Sequence, residues 1–205
     1  MSLTVNGSAG GANFAPIEEG THLGVCCMLI DLGLQYNETY KSSSRKVLIG
    51  WEIPDQTIEL DDGPHPRNLF RRYTASLNER ASLRADLAAW RGRDFTPEEL
   101  AAFDLRNILG KSCLINVIHK EYNGKTSASI QNIMALPKGM QAGKLSGAPV
   151  VFDLDADPLE EIEHLPAWIG EVIRKSETYK DRVSKKTQDQ NPFSELGDEE
   201  EELPF

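Results

Sequence analysis

The 205-residue chain has little of what usually reveals a compartment or a chemistry. It has three cysteines, Cys26, Cys27 and Cys113, an odd number with two adjacent, which gives neither a disulfide framework nor a metal-ligand spacing. They read as small hydrophobes in a reduced chain. No apolar run approaches the roughly 18 residues needed to cross a bilayer. The N-terminus has no basic region followed by an apolar stretch, so no signal peptide is expected and the expected location is the cytoplasm. Phosphate-cradling glycine loops, dinucleotide-binding glycine patterns and nucleophile elbows are all missing. The four histidines, His22, His65, His119 and His164, are dispersed. Asp153, Asp155 and Asp157 alternate, but the glycine and bidentate glutamate of a calcium loop do not follow. No catalysis, cofactor or metal is expected.

A basic excess is missing too: 22 Lys+Arg face 32 Asp+Glu, for a net charge of −10. The imbalance is local. Residues 1–150 carry 16 basic and 16 acidic residues, so residues 151–205 hold 22 − 16 = 6 and 32 − 16 = 16, a net of −10. A neutral body with an acidic end does not exclude an anionic ligand for the body.

The body is β-prone. The first 20 residues are rich in Gly, Ala, Ser and Asn and read as a loose lead-in. A strand is expected over 20–34, a polar hairpin loop over 35–44, and a second strand over 45–53 with Val47, Ile49, Trp51 and Ile53 on one buried face. Thr57–Leu60 is a candidate continuation, and Asp61-Asp62-Gly63-Pro64 a turn. A third strand is expected over 68–77, and a helix over 82–90 with Leu83, Leu87 and Trp90 on one stripe. A second helix opens at Thr96-Pro97-Glu98-Glu99, a capping-box pattern, buries Leu100, Phe103, Ile108 and Leu109, and ends at Gly110. Strands over 112–122 and 126–136 flank Asn123-Gly124, a strong type I′ hairpin signal. Residues 138–147 read as an exposed loop, 159–179 as a helix interrupted at Pro166, and the chain from about Lys185 as disordered. Three strands, a helical insertion and a hairpin match the layout of a five-stranded OB-fold barrel. The expected domains are an OB-fold body over 1–150, a helical extension over 151–186 and an acidic tail over 187–205.

The chain ends Asp198-Glu199-Glu200-Glu201-Glu202-Leu203-Pro204-Phe205. Five acids stay solvated, and a terminal Leu-Pro-Phe behind them has no use in a core. As a docking peptide, Phe205 would fill an apolar pocket, its carboxylate would meet a cation, and the acids would steer towards a basic rim. This terminus resembles the acidic tip of bacterial single-stranded DNA-binding proteins. The body, with Leu165-Pro166-Ala167-Trp168-Ile169 through Ser176-Glu177-Thr178-Tyr179, is similar to phage-type single-stranded DNA-binding proteins. The helical insertion over 79–110 is longer than the bacterial family has, so its subunit assembly is not carried over, and self-association stays open. The resemblance implies an OB-fold that coats single-stranded DNA in phage replication or recombination. It also implies a tip that recruits replication or recombination proteins. The alternative is a non-catalytic adaptor with a β-barrel body and the same docking tail.

Binding single strands needs cations for phosphates and flat rings for bases. Three clusters supply both: Tyr36, Tyr40, Lys41, Arg45 and Lys46; Phe70, Arg71, Arg72 and Tyr73; and Lys120, Tyr122 and Lys125, with His119 beside them. Alternation separates Phe70 and Arg72 from Arg71 and Tyr73, so only one of those pairs faces a ligand and one ring belongs to the core. Lys120 and Lys125 also suit a merely solubilised hairpin edge.

Overall fold

Strand β1 (Gly20–Asn37) organises the sheet. Its apolar residues point to both sides, so Cys26 and Leu29 enter one core while Met28, Ile30 and Leu32 enter another. It is too long to pair with one neighbour along a single straight ladder, and its register shifts between Cys26 and Met28 and again between Asp31 and Gly33. Its first part pairs antiparallel with β4 (Ser112–Tyr122), from Gly20↔Val117 to Val25↔Ser112. Its other edge pairs antiparallel with β2 (Ser42–Leu60), from Val25↔Glu52 to Asn37↔Ser42. β2 pairs with β3 (Gly63–Thr74), and β4 with β5 (Lys125–Met134). The strand order is β3-β2-β1-β4-β5, and a short β6 (Val150–Phe152) runs parallel to β1 at Met28–Ile30. The protein is therefore mainly β, with a six-stranded, largely antiparallel sheet. This computed structural model describes residues 15–189.

The first core lies on one side of the sheet, around Trp51, Ile49, Ile53, Ile115 and Ile133. Helix α1 (Ser82–Arg91) closes it with Leu83, Leu87 and Trp90, the expected stripe. Helix α2 (Pro97–Ala101) has the capping box: Thr96 accepts from the Glu99 amide, and Glu99 accepts from the Thr96 amide. The hydrogen bond from Arg93, and then that from the Thr96 amide, hold the Glu99 carboxyl down to about 2. The expected helix to Gly110 stops at Ala101. Asp104 recaps the chain as a 3-10 turn, Leu105–Ile108, by accepting from the Arg106 amide. The break turns Phe103 edge-on to Phe95 at 5.0 Å and leaves Leu100 exposed instead of buried.

The second core lies on the opposite side. There Met28, Ile30, Leu32 and Leu48 meet Phe152, Leu154, Ile162, Ile169 and Ile173 from the segment after 150. A 3-10 turn, Leu159–His164, leads to α3 (Ala167–Lys175) and α4 (Glu177–Asp189). Pro166 starts α3, and the buried Ser176 separates the two helices, donating to the Ile173 carbonyl and accepting from the Tyr179 amide. Gly33 has φ 72°, and a Cβ there would stand 2.6 Å from Leu154 and 2.8 Å from the Ser176 hydroxyl. Only glycine lets this C-terminal segment settle so closely on β1.

Several element bounds differ from expectation, while the late hairpin matches it. The hairpin loop is four residues, 38–41, because Ser42–Ser44 continue the ladder opposite Gln35–Asn37 and need no apolar side chains to do so. β2 runs on to Leu60 across an irregularity between Ile53 and Thr57, so β3 begins at Gly63 and ends at Thr74. Asn123 and Gly124 have φ 51° and 72°, the expected hairpin turn. The lead-in is docked from Ala15 onward: Ile17 is buried, its carbonyl 2.8 Å from His119 Nε2, and the Glu18 carbonyl lies 2.8 Å from His22 Nε2. The 138–147 loop is exposed over much of its length yet pinned, because the Ser146 amide and hydroxyl both donate to the buried Glu52. α4 continues as helix to Asp189, past the point where order was expected to end. No helix among the described residues is long and apolar enough to cross a membrane.

The strands at the two ends of the sheet order, β3 and β5, approach each other through polar groups. The Tyr73 hydroxyl donates to Asp86 at 2.7 Å, Arg71 pairs with the same oxygen at 3.1 Å, and Arg71 reaches the Gln131 carbonyl at 3.5 Å. Burial, with the Asp86 carboxylate adding to it, pushes the Tyr73 hydroxyl well above the ordinary tyrosine range. Asp86→Ala strands a buried phenol and a guanidinium, so we expect a loss of about 1–3 kcal/mol. Urea unfolding would register this as a lower midpoint at unchanged slope.

Candidate nucleic-acid interface

Among the described residues every Trp and Phe is buried or half-buried, whereas three of the chain's five tyrosines are exposed: Tyr36 at 57%, Tyr40 at 78% and Tyr122 at 77%. All three stand on the β1–β2 and β4–β5 hairpins. Exposing an aromatic ring forgoes the burial that normally holds it, so their restriction to two hairpins marks those surfaces.

The β1–β2 hairpin is locally stiff. Asn37 Oδ1 accepts from the Thr39 amide at 2.9 Å and the Tyr40 amide at 3.1 Å, closing a side-chain turn. Lys41 follows with φ 46°, a left-handed conformation rarely taken by a lysine. Tyr36 lies opposite Ser43 in the ladder. At the other hairpin, Tyr122 pairs with Lys125 across the Asn123-Gly124 turn, and Lys120 lies opposite Ser127. Both lysines are exposed.

The second cluster is divided as alternation requires, and the structure settles which ring is internal. Tyr73 is buried in the first core, so its expected role at a binding surface is withdrawn. Phe70 lies on the other side, half-buried and edge-on to Trp168 at 5.4 Å, so α3 covers the ring expected to stack. The reason is one that local pattern could not give: the segment after 150 needs an apolar surface, and the second-core side of β1, β2 and β3 provides it.

Charge pairing thins the candidate cations as well. Arg45 is bonded to Asp31 and lies 2.6 Å from Asp155, while Arg71 is taken by Asp86. Lys46 donates to the Thr74 hydroxyl at 2.7 Å. Lys41, Lys46, Arg72, Lys120 and Lys125 are in no ion pair among the described residues. His119 spends its ring on the Ile17 carbonyl. The structure thus leaves two hairpin surfaces with free rings and free cations, at opposite ends of β1. Arg80, exposed and in no ion pair among the described residues, lies on the connection from β3 to α1, outside the expected clusters.

Asp31, Asp153 and Asp155 bring carboxylate oxygens within 4.8 Å of one another. Arg45 already bonds Asp31 and Asp155, and Arg106 bonds Asp153 at 3.1 Å, so guanidinium groups supply the positive charge there. Asp153 and Asp157 also accept backbone amides, from Asp155 and Asp153 respectively, which makes them turn-formers. Asp31, Arg45, Arg106, Asp153 and Asp155 border a cleft of about 350 Å³ floored by Leu29, Val47, Phe103 and Phe152. The expected tip, Asp198 to Phe205, lies outside the described residues. No protein-family model matches the chain, and no curated protein matches it.

Proposed function

We propose that this protein binds single-stranded DNA without sequence preference, as a coating protein in phage-type replication or recombination. In this reading the acidic C-terminal tip recruits partner proteins. The carrying observation is that, among the described residues, the exposed Tyr, Trp and Phe rings are confined to two hairpins, each with lysines in no ion pair. Rings with free faces stack on any base, at roughly 1–3 kcal/mol each, and lysines beside them neutralise the phosphates between. The proposed frame is a five-stranded OB-type barrel. The strand order, the placement of α1 between β3 and β4, and the reach of Arg71 to the Gln131 carbonyl support it. In such a barrel the first and last hairpin loops flank the binding groove. Catalysis has no part in this reading.

The test is a titration of fluorescent oligo-dT at two salt concentrations. A coating protein loses affinity steeply as salt rises, with a slope of about −0.7 per neutralised phosphate on a single strand. No salt-sensitive affinity at all would favour the adaptor reading instead.

Lys41→Gly separates folding from binding within one residue. The substitution relieves a left-handed lysine, so stability holds or rises by up to about 1 kcal/mol. It also removes a phosphate-binding cation, so the salt slope flattens by roughly one contact's share. Thermal unfolding beside the titration would record the two opposite changes.

A further inference from the structure

We infer that helix α4 belongs to the same interface, with Lys180 and Lys185 binding phosphates of the strand held by the β1–β2 hairpin. The inference rests on the proposed reading of that hairpin and adds an element no aromatic cluster indicates. Its first ground is position. The Ser43 hydroxyl donates to Glu177 at 2.7 Å, and the Leu34 amide donates to the Thr178 hydroxyl at 3.0 Å. Ser43 is the cross-strand partner of Tyr36, so the first turn of α4 is fastened to the residue opposite an exposed ring. From Glu177 to Lys185 the helix advances eight residues, about 12 Å, and its whole described length stays within reach of a strand that leaves the hairpin along it.

The second ground is how α4 spends its charges. Arg182 donates to the carbonyls of Leu154 and Asp157 at 2.5 and 2.9 Å, and Lys186 pairs with Glu160 at 2.6 Å. With Tyr179, which packs on the second core, these residues recur at a spacing of three and four and define the inward stripe. Those cations hold the helix down. Lys180 and Lys185 are off that stripe, exposed, and in no ion pair among the described residues. Holding the fold does not need them. Asp181 is exposed between them and opposes their charge, which provides a control of opposite sign.

The experiment compares full-length variants by titration with fluorescent oligo-dT at low salt. Lys180→Glu/Lys185→Glu should weaken binding about tenfold and flatten the salt slope by roughly two contacts' share. Asp181→Asn should strengthen binding about twofold. Lys138→Glu/Lys144→Glu carries the same charge change on the exposed 138–147 loop and should cost less than twofold. Equal losses in the two double variants would overturn the inference, because net charge alone would then explain them. An α4 variant that binds like wild type, while Tyr40→Ala binds worse, would overturn it and leave the hairpin reading standing. Wild-type protein without salt-sensitive affinity would overturn both.

Discussion

Phe152→Ala should lower the stability of the whole protein by about 3–5 kcal/mol, the usual loss when a buried phenylalanine is truncated. Phe152 is 3% exposed, on the three-residue strand β6, and packs with Met28, Ile30, Leu48 and Ile169. The loss should also be cooperative across the two cores. β1 supplies residues to both cores, so loosening the second core frees the strand on which the first depends. The tryptophans report both sides, because Trp51 and Trp90 belong to the first core and Trp168 packs against the second. Their signals should be lost in one coincident urea transition, at wild-type slope and a lower midpoint. An early, separate loss of Trp168 would mean that the segment after 150 is an independent unit. Leu100→Ala is the comparison, because its 36% exposure places it among surface changes worth about 0.5 kcal/mol or less.

That coupling is also where reading the sequence reached its limit. Periodicity of two found the buried row Val47, Ile49, Trp51 and Ile53, and periodicity of 3.6 found Leu83, Leu87 and Trp90, because each pattern is complete within one element. Asn123-Gly124 and the Thr96 capping box were legible for the same reason: turn and cap chemistry acts over two to four residues. The covering of Phe70 by Trp168 was not legible, since it joins residues about a hundred positions apart. Alternation left Phe70 and Tyr73 equivalent, and only the position of Asp86 and α1 decided that Tyr73 turns inward. Likewise Arg45 and Arg71 look like free cations until the fold brings Asp31, Asp155 and Asp86 to them. Exposed tyrosines fared better. Short polar surroundings such as Asn37-Glu38-Thr39 leave a ring nothing to bury against, which local sequence does express.

Tyr40→Ala and Tyr122→Ala should each weaken binding to a long oligo-dT by about 1–3 kcal/mol, or roughly 5- to 150-fold in Kd. Neither ring touches a core, at 78% and 77% exposure, so unfolding midpoints should not move. Phe70→Ala should do the reverse, costing stability through Trp168 while leaving Kd nearly unchanged. The two tyrosines stand at opposite ends of β1: Tyr40 lies past Asn37, and Tyr122 lies five residues beyond Val117, the partner of Gly20. Sites so far apart act independently, so on a strand long enough to meet both hairpins the two losses should multiply in the double variant. A strand too short to bridge them occupies one hairpin at a time. Removing one tyrosine then leaves the other hairpin to bind, and each single variant should lose about twofold, while the double variant loses most of its affinity. Each hairpin is thus a weak site, and linking both through one strand raises the effective concentration at the second. Single variants that bind long oligo-dT like wild type would remove the hairpins from the interface. Equal single-variant losses on short and long strands would place both rings in one small site, which the separation along β1 does not allow.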